Sequence, residues 1–368
     1  MSRVPWFVWA SLASVTCILA GTYWDISWHM SIGRDSFWTP AHVAIQIGGV
    51  TAGVSGAVLI FSTTFRQAAP LRPTSVGVWG FRGPLGAFLG AWGAATMVVS
   101  APFDNWWHNA YGLDVQILSP PHAVLTTGIL AVAFGGVLLA ISTTNRAEGI
   151  ARTRLAWLVL VIGGEILTLS MIAILEKTFR SNLHRADAYR AVAVGAPLIM
   201  IAFARAGDQR WGATILATFY TAFMATMVWL FPLFPAEPKL GPVYQPITHF
   251  IPLEFPLLLL VPAIALDLVR RLDRPRWQLA PVCGVVFVAT LVAAEWPFAS
   301  FMQSPAAGNA FFGGDYFAYF MQPDWFIPRH QFFPSHDVAL GLAEAAAIAW
   351  LSSWLGLYVG DALRRVKR

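Results

Sequence analysis

The sequence predicts an all-α, polytopic integral membrane protein with about ten transmembrane helices. Three observations carry that prediction. Of 368 residues, 57% are hydrophobic and only 12% charged, where a soluble domain carries about a quarter charged. Apolar stretches of about twenty residues, the length a helix needs to cross a hydrocarbon core, recur along the whole chain. Lys and Arg concentrate in every second connection between those stretches, the pattern of the positive-inside rule.

The spans fall at 4–24, 40–64, 83–101, 120–144, 154–175, 190–206, 211–232, 250–270, 279–298 and 337–360. The first has the charged head and apolar body of a secretory signal. No small-residue cleavage site precedes the polar stretch after it, so it reads as a retained span. The second and fourth open on Pro40 and Pro120, a residue suited to the first turn of a helix. The fifth carries Glu165 near its middle, where an acid must be paired, protonated or facing a cavity. No chain of acids continues from it, which argues against a proton pump or transporter. The sixth follows a charged segment, "EKTFRSNLHRADAYR" (176–190), which suits lipid headgroups, an acidic partner, an anionic substrate or a salt-bridged helix extension. Glu254 and Glu295 fall near the ends of the eighth and ninth spans. An aromatic loop, 299–336, precedes the tenth and is long enough to act as a cap.

With both termini cytoplasmic, 17 of the 24 Lys and Arg lie on the inner side. The net charge of +5 reflects this topology and does not indicate a nucleic-acid partner. The partner it does imply is the lipid bilayer of a cell (inner) membrane. All eight His then fall at the outer, periplasmic or exterior side, and they took no part in drawing the map. Cys17 and Cys283 lie in different spans and form no CxxC, so they read as packing residues.

Two polar stretches interrupt the apolar pattern in the same way. "DISWHMSIGRDSFWTPAH" (25–42) and "DNWWHNAYGLDVQILSPPH" (104–122) share Asp, then Trp at +3, His at +4, Gly at +8 and Asp at +10, and both end Pro, one residue, His. Each joins an outgoing span to a returning one, so the N-terminal half reads as a parallel tandem repeat of helical hairpins. Residues 1–64 form the first, 83–144 the second, and 145–368 a six-helix region. Asp and His four apart share a helix face, and the final His begins the returning helix beside them. Each hairpin thus offers one carboxylate and two imidazoles: Asp25, His29 and His42, or Asp104, His108 and His122. That set suits copper, zinc or non-haem iron and leaves positions for water or substrate. Asp35 and Asp114 are placed to orient a ligand His through its second nitrogen. His330, His336 and Asp337 are further ligand candidates, with interfacial packing as the competing role.

The first stretch resembles the signature of the C subunit of the copper membrane monooxygenase family, which includes particulate methane and ammonia monooxygenases. The matching positions are Asp25, Trp28, His29, Arg34, Asp35, Trp38, Thr39, Pro40 and His42. Phe37 stands where the family has another Asp. The resemblance covers about eighteen residues, or sixty with the flanking spans. It implies copper held by Asp25, His29 and His42, with Arg34 and Asp35 in supporting roles. It also implies oxidation of a small apolar substrate by O2, alongside other membrane subunits, a cupredoxin-like chain or further copies of this one. Copper acquisition or delivery without catalysis, and a structural role in a membrane complex, are the alternatives. The nine Met are scattered, which speaks against a thioether copper(I) site.

Overall fold

A computed structural model describes residues 4–112, 119–272, 274–322 and 330–368. Among them are ten α-helices: α1 (Trp6–Ser31), α2 (Pro40–Phe65), α3 (Leu85–Tyr111), α4 (Pro120–Thr144), α5 (Gly149–Ala173), α6 (Ala186–Ala206), α7 (Gly212–Leu230), α8 (Leu260–Val269), α9 (Arg276–Met302) and α10 (Val338–Leu363). All but α8 are long and apolar enough to cross a bilayer. Helices suit that setting because each satisfies its backbone donors and acceptors internally. The strands β1 (Val76–Val78) and β2 (Phe81–Gly83) form a short antiparallel hairpin between α2 and α3. The chain is thus an all-α, multi-pass membrane protein.

The eighth span is only half helical. Residues 251–258 have no regular structure, and α8 begins at Leu260. Pro252 and Pro256 lack backbone N–H groups and their rings obstruct the preceding helical turn, so a helix cannot form through them.

The described residues form two compact units. The first takes in the chain up to Trp24, then Ser36–Ile162 and Leu363–Arg368. Its helices pack through small residues. Ser14 Oγ donates to the Gly48 carbonyl at 2.6 Å, joining α1 to α2. A Cβ on Gly53 would lie 2.9 Å from the Ala94 methyl, so α2 approaches α3 closely. A Cβ on Gly93 would lie 2.7 Å from both the Gly128 carbonyl and the Val132 nitrogen, so α3 and α4 touch backbone to backbone. Gly136 on α4 completes the ring against Ser11 of α1. The two hairpins of the tandem repeat are therefore α1–α2 and α3–α4.

The second unit comprises Asp25–Asp35 and Gly163–Ala362. In it α10 crosses α9 at Gly284 and α6 at Gly356, where added Cβ atoms would overlap the Trp350 backbone and the Leu198 carbonyl. Asp267, fully buried on α8, accepts from the Ala213 and Thr214 backbone N–H groups, the Thr214 hydroxyl and Arg270. It thereby satisfies donors that the first turn of α7 leaves open. Segments from 234–251 and 303–322 pack around the last two turns of α1.

Candidate metal centre

The second polar stretch lies wholly in the first unit. α3 ends at Tyr111 because Gly112 takes φ +93°, where L side chains are strained, and donates to the His108 carbonyl at 3.0 Å. Asp104 and His108 therefore occupy the last two turns of α3, one above the other. α4 begins with Pro120, and the Ser119 hydroxyl accepts from the His122 N–H, so His122 is fixed in the first turn. The result is convergence. Asp104 Oδ1 lies 3.3 Å from His108 Nε2 and 3.8 Å from His122 Nε2.

Among the described residues, Asp104 Oδ1, His108 Nδ1 and His122 Nδ1 are buried and lack a hydrogen-bond partner. Buried polar atoms left unsatisfied are costly; an ion held through the two Nε2 atoms would answer Asp104 Oδ1, while the Nδ1 atoms lie on the other ring edges. Phe103, Trp106, Trp107 and Tyr111 surround this end of α3, with ring centroids 4.5–6.4 Å apart.

The first stretch repeats the same local design. Asp25 and His29 lie in the last two turns of α1, and Gly33 takes φ +83° just beyond its end. His29 Nε2 lies 4.0 Å from Asp25 Oδ1 and 3.5 Å from Asp35 Oδ2. Asp25 and Asp35 bring carboxylate oxygens within 4.8 Å of each other. Asp35 thus approaches the histidine at least as closely as Asp25 does, a donor position as well as an orienting one. The Arg34 side chain is exposed, and its contribution comes from the backbone: its carbonyl accepts the Trp28 indole N–H at 2.9 Å, closing the turn.

His42 belongs to the first unit, as the third residue of α2 after Pro40. Its Nδ1 lies 2.9 Å from the Ser36 carbonyl. A carbonyl only accepts, so Nδ1 carries the proton and the basic lone pair sits on Nε2, the form in which histidine binds a metal.

No family model, curated protein or solved structure matches the chain. Function is therefore read from donor chemistry, from geometry and from the short motif.

The two stretches differ in their surroundings. In the second unit, the end of α1 is strapped down by distant segments. Ser27 Oγ donates to the Ile251 carbonyl at 2.6 Å, and the Ile251 N–H donates to Ser31 Oγ at 2.7 Å. The Lys239 N–H donates to the Ile32 carbonyl, and the Tyr319 N–H to the Met30 carbonyl. The Tyr319 ring lies over Gly33, leaving no room for a side chain there. Beside Gly112, by contrast, a Cβ would meet open space. Sequence reasoning found the aromatic loop but missed Tyr319 as its point of attachment, and missed Ser27 and Ser31, which hold the segment at Ile251. Aromatic content signals a cap without naming the residue that seats it.

The remaining candidates separate. His330 Nε2 lies 3.8 Å from Asp315 Oδ1, with its ring edge-on to Phe317. His336 and Asp337 are exposed, in the approach to α10. Asp114 lies outside the described residues. The 176–190 segment is extensively ion-paired: Arg180 with Glu254, Arg185 with Asp187, and Arg190 with Asp187 and Glu344. Glu295 is buried and accepts the Leu258 N–H at 2.8 Å, serving the non-helical backbone before α8. Glu165 is buried in α5. His184 is stacked between Trp296 and Phe332 and hydrogen-bonded to the Trp296 carbonyl.

Proposed function

We propose that the two hairpins are metal sites and that the chain is a copper-binding membrane protein related in mechanism to the copper membrane monooxygenases. On the sequence motif, Asp25, His29 and His42 would hold the first ion. Asp104, His108 and His122 would hold the second. The observation that carries this reading is the convergence of two imidazole nitrogens on the buried, unbonded Asp104 oxygen. Donors sharing one tetrahedral ion at about 2.0–2.1 Å lie about 3.3 Å apart. The Asp104–His108 distance matches that spacing, but the three donor atoms are not all within 4.8 Å of one another, so sharing one ion requires the two imidazoles to turn toward each other. The donor set of one hard carboxylate and two imidazoles fits copper, with zinc and non-haem iron as the other ions of that class.

Copper held in such a site would supply one-electron transfer to dioxygen. The chain's own part is to fix the donors at helix ends, keep water scarce and offer an apolar substrate an aromatic surface. The tryptophans and Tyr111 beside Asp104, and the Tyr319 strap over the first stretch, suit those roles. Electrons would come from a quinol or an external donor protein. The distribution of Lys and Arg supports both sites facing the exterior or periplasm, with both termini in the cytoplasm.

A second reading, copper acquisition or delivery without catalysis, is favoured by donors exposed in both hairpins, the His29 side chain at 45% and His122 at 36%. Trp106 and Tyr111 are exposed as well, so a partner can reach the donors.

Metal analysis of the purified protein tests the proposal, using wild type, His29→Ala plus His42→Ala, and His108→Ala plus His122→Ala. Each double variant is expected to lose the metal of its own hairpin and to keep the other. Full copper in both variants would refute the assignment. Zinc without oxygen consumption would shift the reading to a structural subunit.

A further inference from the structure

We propose that the first unit carries a binding site for an anionic phospholipid, at the end of α2 remote from the polar stretches. This site is independent of the metal reading. On α2, Val54, Val58, Phe61 and Phe65 form an exposed stripe along a groove of about 480 Å³ that ends at Arg66. Across Phe61 a second groove, of about 230 Å³, is floored by Ala57 and Ala91 and walled by Trp79, Phe81 and Trp92.

The β-hairpin builds that wall. Its tip is Trp79 at φ +48° followed by Gly80, and Trp79 is 87% exposed with its ring 5.9 Å from Trp92. Thr64 fastens the hairpin to α2: its hydroxyl donates to the Arg82 carbonyl at 3.0 Å and accepts the Arg82 N–H at 2.8 Å. Phe81 then meets Phe61 edge-on at 5.8 Å. A tryptophan held outward at a strained turn costs stability, and its return is an apolar wall beside α3.

Charge selects the occupant. Arg66 lines the end of the first groove and Arg82 follows Phe81 on β2; both are exposed and, among the described residues, form no ion pair with a carboxylate. The described acids of this unit are only Asp104 and Glu148. Asp104 lies nineteen residues along α3 from Leu85, roughly 28 Å away. Glu148 lies in the α4–α5 connection, whose Arg146 bonds the Thr74 hydroxyl, and pairs with neither Arg66 nor Arg82. Arg72, by contrast, is engaged with the Thr63 and Thr64 carbonyls. An unpaired guanidinium, Arg66, at the end of an apolar groove, with a second exposed one, Arg82, in the neighbouring hairpin, matches an amphiphile with a phosphate head and an acyl chain. A zwitterionic lipid would bring its own cation to the arginines and bind less well.

The test is native mass spectrometry of the full-length, detergent-purified protein titrated with phosphatidylglycerol or phosphatidylcholine. Wild type is expected to bind phosphatidylglycerol at least tenfold more tightly. Arg66→Gln plus Arg82→Gln should abolish that preference, whereas Trp79→Ala, at an exposed tip, should weaken both lipids and keep it. Arg152→Gln removes an exposed charge elsewhere in the unit and should change nothing. Equal binding of the two lipids by wild type would overturn the proposal. So would an equal loss of preference in Arg152→Gln, or a co-purified quinone that phosphatidylglycerol does not displace.

Discussion

Replacing Gly93 with Ala should empty the second metal site without touching a ligand. The added methyl would lie 2.7 Å from the Gly128 carbonyl oxygen and the Val132 nitrogen, both backbone atoms that cannot swing aside. Ordinary contact needs at least about 3.4 Å, so α3 and α4 must part by about 0.7 Å. Asp104 and His108 ride on α3, and their 3.3 Å spacing survives. His122 rides on α4, so its 3.8 Å distance to Asp104 grows to about 4.5 Å. Two donors on one ion at about 2.1 Å can be at most about 4.2 Å apart, so His122 drops out of the set. Overpacking of this kind costs about 1–3 kcal/mol, a lower melting temperature but a folded protein. The assay is copper binding by equilibrium dialysis, with the melting temperature measured in parallel. Val98→Ala, on a 56% exposed face of the same helix, serves as the control and should bind as wild type does. Wild-type copper affinity in folded Gly93→Ala would refute the claim that close hairpin packing sets the site.

Three further outcomes follow from packing and charge. Arg180→Met leaves the Glu254 carboxylate, only 11% exposed, without its partner and should cost about 3 kcal/mol in detergent unfolding, and Arg180→Met plus Glu254→Leu should recover most of it. Asp267→Ala strips the acceptor from the first turn of α7 and the counter-charge from Arg270, so a loss of at least about 2 kcal/mol is expected by the same assay. Tyr319→Ala removes the ring over Gly33 and should speed amide exchange at Lys239 and Ile251, whose N–H groups bond the end of α1, while Tyr319→Phe should leave it near wild type.

The hairpins were legible in the sequence because their signals are local. Pro40 and Pro120 mark helix starts, and an Asp–His pair four apart shares a face by helical period alone, whereas the run of α1 to Ser31 and α3 to Tyr111, before glycines at positive φ, lay beyond the predicted spans. Hydropathy found the spans for the same reason. It overextended the eighth, since averaging apolar residues passes over the missing donors of Pro252 and Pro256. Contacts between distant segments left no local trace. Ser27 meets Ile251 across 224 positions, and Arg180 meets Glu254 across 74. Charge-rich composition at 176–190 could not distinguish a ligand surface from internal pairing, and only coordinates show each arginine answered by a carboxylate. Asp35 was legible as a helper of a histidine, but its 3.5 Å approach to His29 depends on the turn closed by Trp28.

Nitrogen hyperfine spectroscopy of the copper(II)-loaded protein tests the metal proposal most directly. Wild type should show histidine nitrogens coupled to copper, and the His108→Ala plus His122→Ala variant should lose the couplings of one site while those of the other persist. A spectrum identical to wild type in that variant, or copper with no coupled nitrogen at all, would contradict the account.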